Sequence, residues 1–178
     1  GTANYIHQFP MFSISIGVSC HGHVVAGLIY DPLHNELFAA EKGRGAFLNG
    51  RRIRCSPVGS LAEALMTTGI PFRARDRFDE YMQSFRSISL AACGMRRGGS
   101  AALDLSYVAC GRLDGFWELN LSPWDIAAGS LIVREAGGLV SDLWGHDEFL
   151  KSGDILASNR RIHTELLTHT GKVPRKER

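Results

Sequence analysis

Apolar residues alternate with small or polar ones over 11–19, short β-rich runs separated by turns follow to residue 53, and from residue 76 apolar residues recur at helical spacing; this change of pattern divides the fold. Phe12, Ile14, Ile16 and Val18 alternate with small or polar residues, so 11–19 reads as a half-buried strand. Cys20-His21-Gly22-His23 reads as an exposed turn, and β-rich 24–30 as a second strand. Asp31-Pro32-Leu33-His34-Asn35 is turn chemistry, followed by a third strand over 36–40. Asn49-Gly50 separates 46–48 from 51–53; both central residues of a two-residue hairpin need positive φ, which Asn and Gly tolerate. Residues 1–60 therefore read as an antiparallel meander.

Phe78, Tyr81, Met82, Phe85 and Ile88 share one helical face, which predicts a helix over 76–90. A short link or strand follows at 93–97. A helix over 100–110 starts at Gly99-Ser100 and stops at Gly111. Next come a strand at 113–119, a helix at 122–136, strands at 139–143 and 155–157, and a last helix at 160–168. The charged tail, 171–178, is expected to fray. A meander followed by helix and strand layers over 61–170 predicts one mixed α/β unit across 1–178.

Composition removes several function classes. With 44% hydrophobic residues and a net charge of +2, the chain is not mainly disordered. It has no apolar run long enough to span a membrane. The small charge and the lack of an aromatic stripe argue against nucleic acid as a main partner, so Arg96-Arg97 reads as solvated. The 4 cysteines form no CxxC pair and no HExxH occurs, which removes zinc and thioredoxin-like readings. Buried single thiols in a reducing cytoplasmic compartment are expected instead. The 20 glycines are an excess that calls for many tight backbone positions.

Three stretches can carry chemistry. Ser122 can cap a helix, Pro123 fits its first position, and Asp125 falls in its first turn. Asp125 either completes the cap or offers a rigid ligand to a hard cation such as Mg²⁺. Gly99-Ser100-Ala101 presents amides at a helix start, as a simple N-cap or as a cradle for a phosphate or a hydroxyl-rich ligand. Gly1-Thr2 is a third small-residue pair, alternatively a disordered terminus. The sequence opens there without Met, a basic n-region or an apolar h-region, so it reads as a processed chain or a fragment.

Together these stretches resemble the inositol monophosphatase family, and in particular its bacterial branch. Trp124-Asp125-Ile126-Ala127-Ala128-Gly129, with Glu135-Ala136-Gly137-Gly138, is similar to the family's W-D-x-A-A-G…E-A-G-G signature. Gly1-Thr2-Ala3-Asn4-Tyr5 resembles the end of its first metal motif, D-P-[IL]-D-G-T-x-N-[FY]. Tyr30-Asp31-Pro32, Gly43-Arg44-Gly45-Ala46, Leu48-Asn49-Gly50 and Leu103-Asp104-Leu105 fit between. The resemblance implies an αβαβα sandwich and a Mg²⁺-dependent, Li⁺-sensitive phosphatase that hydrolyses inositol monophosphate with metal-activated water. It implies two or three Mg²⁺ ions, with Asp125 as a metal ligand near an inositol hydroxyl. Gly1 and Thr2 would supply phosphate-binding amides, and the Thr2 hydroxyl would orient the attacking water. Gly99, Ser100 and Ala101 would line the substrate pocket, and Glu118 would accept a hydrogen bond from inositol; without the resemblance, Glu118 reads as a solvated strand-end carboxylate.

The resemblance also implies a homodimer and, as in some bacterial members, a possible partner in the transcription apparatus. A histidinol phosphate, a nucleotide 3′-phosphate or fructose bisphosphate is the alternative substrate, and a purely binding role the alternative function. The family's Asp-Pro-x-Asp does not occur, leaving Asp125 as the one metal-binding carboxylate of the pattern. The chain thus reads as the C-terminal portion of such a domain, without its N-terminal helices and first strands and with an apolar sheet face uncovered. The expected outcome for these 178 residues alone is little or no hydrolysis of inositol 1-phosphate at millimolar Mg²⁺. Robust turnover in a phosphate-release assay would contradict this.

Overall fold

The computed structural model describes residues 1–72 and 74–171. The expected frayed tail lies outside them, except for Gly171, which ends the last helix. A short helix α1 (Thr2–Ile6) precedes five strands: β1 (Ile14–Cys20), β2 (His23–Asp31), β3 (Glu36–Glu41), β4 (Gly45–Leu48) and β5 (Arg51–Ile53). These pair antiparallel in chain order, so the meander forms as the sequence implies. Asn49 and Gly50 both adopt positive φ, 48° and 77°, as a two-residue hairpin turn requires.

The second sheet is built from β6 (Leu65–Thr68), β7 (Gly94–Arg96), β8 (Gly115–Glu118), β9 (Leu139–Ser141) and β10 (Ile155–Ser158), in the order β7-β6-β8-β10-β9. Strands β7, β6 and β8 run parallel, and β8, β10 and β9 antiparallel. The helices are α2 (Phe78–Ala91), α3 (Ala101–Ala109), α4 (Pro123–Glu135), α5 (Phe149–Ser152) and α6 (His163–Thr170). Helices α3 and α4 fill the space between the sheets, where Ile29, Phe38, Leu105, Phe116 and Ile132 form one core. Helices α2 and α6 cover the far side of the second sheet, where Met66, Tyr81, Trp117 and Leu166 form another. The Trp117 indole N–H donates to Ser84 Oγ of α2 at 3.2 Å, so the largest buried side chain is also satisfied. The layers therefore alternate sheet, helices, sheet, helices.

The direction of β1 differs from the simplest reading of its alternation. Ile14, Ile16 and Val18 are 55%, 53% and 50% exposed, because they point away from α4. They pair with Tyr30, Leu28 and Ala26, which gives the first sheet an uncovered apolar outer face. The inner face carries small residues in register: Gly17 opposite Gly27, Gly27 opposite Ala40, Ala40 opposite Ala46. That stripe lets α4 lie directly on the backbone. A Cβ on Gly27 would sit 2.8 Å from the Ala128 carbonyl oxygen, and one on Gly17 3.1 Å from Ala127 Cβ.

The expectation of buried cysteines holds in part. All four thiols are free, but Cys20 and Cys93 are exposed, since their strand and loop ends face solvent. Cys55 and Cys110 are half-buried, and burial pushes the Cys55 thiol up to about 12. Strand β6 and the short helices α1 and α5 are additions to the elements that the sequence pattern predicts.

Gly27→Ala should lower stability by about 1–3 kcal/mol, because the α4 backbone cannot yield to the new methyl group. Gly59→Ala, where nothing lies within 4 Å, should leave the thermal midpoint unchanged. Equal midpoints for the two variants would contradict the close α4–sheet contact.

Candidate active site

Because β6, β7 and β8 are parallel, their carboxyl ends share one edge of the second sheet. Gly69 follows β6, Arg97-Gly98-Gly99 follows β7, and Glu118 ends β8. Helix α3 starts just after β7, and α4 starts shortly after Glu118 with Ser122 as N-cap. Two helix N-termini, with their positive dipole ends, therefore begin at this edge: α3 opens without a side-chain cap, whereas at α4 Pro123 has no N–H and Ser122 caps the amide of Asp125. Crevices outside strand carboxyl ends are where layered α/β folds bind ligands.

At α4, the Ser122 backbone N–H donates to Asp125 Oδ2 at 3.1 Å, closing a capping box with Pro123 at the first helical turn. The capping role of Asp125 is thus present, with its side chain half-buried at the helix start. Ala127 and Ala128 of the signature permit the contact with the first sheet, and Gly129 lies against Leu105 of α3. Glu135, also in the signature, serves the fold: its carboxylate accepts the Gly43 and Gly45 N–H groups, both at 2.7 Å, and fixes the β3–β4 turn.

At α3, Ser100 occupies the N-cap position, but its side chain makes no capping bond and the residue is 2% exposed. Gly99 and Ala101 on either side are half-buried. The Asn4 side-chain amide donates to the carbonyls of Met11 at 2.7 Å and Gly98 at 3.0 Å. This clamp ties α1, and with it exposed Gly1 and Thr2, to the loop that opens α3. Sequence reasoning assigns Asn4 no role of its own; its place in the Gly1–Tyr5 motif is the signal that could have found it.

Glu118 is half-buried, and its carboxylate occupies the space a side chain on Gly69 would need. Tyr81, beneath it, is pushed up by burial; a Thr68 hydrogen bond and the Arg97 charge oppose this, while the Glu118 charge adds to it. Arg97 lies 5.3 Å over the Phe72 ring, so a cation stands at the same edge as the carboxylates. Asp104, in the first turn of α3, is a further group to which sequence reasoning assigns no role. Burial pushes its carboxyl up to about 7, against a Thr67 hydrogen bond and the Arg97 charge.

Among the described residues, no three His, Cys, Asp or Glu side chains converge into a metal site. Mg²⁺ requires near-octahedral oxygen ligation, and Asp125 as a single carboxylate does not provide it. The described residues do not by themselves fit a Mg²⁺ centre. No helix among them is long and apolar enough to cross a membrane.

Comparison with known proteins agrees with this architecture. The chain is 51% identical over 170 residues to the Nus factor SuhB of Pseudomonas aeruginosa, covering 94% of this chain and 63% of that protein. It is 46% identical over 167 residues to the inositol-1-monophosphatase of Mesorhizobium japonicum, again covering 94% and 63%. The chain thus spans less than two thirds of the length of these curated relatives. Among solved structures, inositol monophosphatase from Anabaena superposes with a TM-score of 0.93 at 43% identity, over 98% of this chain and 69% of that one. The extragenic suppressor protein suhB of Bartonella henselae gives a TM-score of 0.93 at 45% identity, over 97% and 66%. The family model described as the inositol monophosphatase family matches residues 1–175, and with these likenesses in sequence and fold the chain belongs to that family.

Proposed function

We propose that the intact protein is a phosphomonoesterase that hydrolyses inositol monophosphate to inositol and phosphate. The observation that supports this most is the meeting, at one sheet edge, of two helix N-termini with Asp125, Glu118 and the Gly98-Gly99 loop. Amides at helix starts suit an anionic phosphate, and half-buried carboxylates suit polyol hydroxyls, so one crevice offers both halves of a phosphorylated polyol their partners. In this proposal Gly1 and Thr2 hold phosphate oxygens, and the Thr2 hydroxyl orients the attacking water. Gly99, Ser100 and Ala101 line the polyol pocket, Ser100 through its backbone because its side chain is buried. Glu118 accepts a hydrogen bond from a ring hydroxyl. Mg²⁺ dependence and Li⁺ sensitivity belong to the same proposal, with Asp125 as this chain's metal ligand and the other ligands from outside it, as does a homodimer.

A second reading has support in the names of relatives, several of which are called Nus factors. Under it, the protein binds a partner in the transcription apparatus, with or without hydrolysis. Asp125→Asn separates the two. It should lower kcat/KM for inositol 1-phosphate by more than about a hundredfold, the loss that even an outer-shell partner of a metal can cause. A purely binding role would be untouched, because Asn can still accept the Ser122 N–H. In a panel with histidinol phosphate, a nucleotide 3′-phosphate and fructose bisphosphate, inositol 1-phosphate should be the preferred substrate. Undiminished turnover by Asp125→Asn, or preference for another ester, would contradict the proposal.

A further inference from the structure

Asp104 is a buried titratable group beside the candidate site to which the proposed reaction gives no role. The residue is 2% exposed. Its Oδ1 accepts the Thr67 hydroxyl at 2.9 Å, and its Oδ2 is buried with no hydrogen-bond partner among the described residues. A buried carboxyl oxygen left without a partner is costly, so a position that keeps one needs an explanation. The packing around it is close. A side chain on Gly98 would strike Met11 and come within 3.3 Å of Asp104 Oδ1.

The bond to Thr67 joins two separate walls of the candidate site. On one side, the Asp104 N–H donates to the Ser100 carbonyl at 2.9 Å, so Asp104 closes the first turn of α3 behind the Gly98-Gly99 loop. On the other side, Thr67 lies on β6 between Arg96 of β7 and Phe116 of β8, one residue from Thr68, which pairs with Trp117. Thr68 Oγ1 donates to the Trp117 carbonyl at 2.8 Å, immediately before Glu118. A short chain of contacts therefore runs from the α3 loop, through Asp104 and Thr67, to the strand end that carries Glu118.

We propose that Asp104 is a positioning residue that sets the spacing between the α3 loop and the Glu118 wall, and that its neutral form is the one competent to hold a phosphorylated polyol between them. This rests on the proposed substrate class. Among the described residues Oδ2 has neither donor nor acceptor, and a buried neutral hydroxyl left unpaired costs less than a buried unpaired charge, which favours the neutral acid. Ionising it in place would put a buried negative charge behind a pocket meant for an anion, with exposed Arg97 as the charged group that opposes it. Burial holds the carboxyl at about 7, so the change falls within the working pH range. The pocket is therefore competent below that value and loses affinity as pH rises through it.

The test measures KM and kcat of the intact protein for inositol 1-phosphate from about pH 6 to about pH 8.5, a range that brackets the titration, beside Asp104→Asn and Thr67→Val. Asn is isosteric with the neutral acid and cannot ionise. Its KM should stay near the wild-type value at low pH and fall to about a third of it or less at high pH, as loss of an ionisable group predicts. Comparing the variant with the wild type cancels the titration of the substrate itself. Thr67→Val removes the donor while keeping the shape; it should raise KM several-fold at every pH with a smaller effect on kcat. Thermal melts identify a variant that fails to fold, and either variant alone decides the question. If the wild type hydrolyses inositol 1-phosphate but Asp104→Asn has the same KM profile, or Thr67→Val leaves KM unchanged, the role of Asp104 is overturned. If the wild type hydrolyses no inositol 1-phosphate, the substrate reading fails, and this inference fails with it.

Discussion

The close seat of α4 on the first sheet is the contact on which the rest of the structure depends. Gly17, Gly27, Ala40 and Ala46 form a stripe of small residues across four strands, and Ala127 and Ala128 rest on it. On its opposite side, Gly129 admits Leu105 of α3. Helix α4 is thus held against the sheet through small side chains on one face and against the Leu105 side chain of α3 on another, which leaves little freedom to slide or rotate. Its N-terminus, with Asp125, is thereby fixed relative to β1, where Ser15 Oγ donates to the Trp124 carbonyl at 3.4 Å. The W-D-x-A-A-G signature places one carboxylate and supplies three small residues that hold it there.

The second sheet contributes direction. Three parallel strands end at one edge, so Gly69, the Arg97-Gly98-Gly99 loop and Glu118 arrive there together. Parallel strands need crossover connections, and those starting from this edge include α3 and α4. The anion-attracting helix starts are thus a consequence of topology. Asn4 then draws α1 to the same loop by donating to the Gly98 carbonyl, while its bond to the Met11 carbonyl braces the segment that leads into β1.

The meander was legible because its strands lie in an antiparallel sheet whose residues alternate, and because Asn49-Gly50 has few other uses. Which face of that sheet was inside was not legible. Ile14, Ile16 and Val18 carry the apolar signal, yet glycine and alanine face the core, since backbone-to-backbone packing leaves no room for larger side chains. Strand β6 escaped notice because Leu65-Met66-Thr67-Thr68 is buried largely on both faces and shows no period. Helices α1 and α5, of 5 and 4 residues, are too short for a periodic signal. At the candidate site, Asp125 and Ser100 were singled out in the sequence by their helix-start positions. Asp104 was not, because an Asp in the first turn of a helix looks like ordinary dipole chemistry, and only the burial of its carboxyl distinguishes it.

The function proposed for this protein requires that the edge where β6, β7 and β8 end receives a phosphorylated polyol. The direct measurement is a crystal structure of the intact protein soaked with inositol 1-phosphate and Ca²⁺ as a slow substitute for Mg²⁺. The cation should lie on the Asp125 carboxylate, with a ring hydroxyl within hydrogen-bond reach of Glu118 and the ring against Gly99 and Ala101. Ligand density at another face of the molecule, with this edge occupied only by solvent, would contradict it.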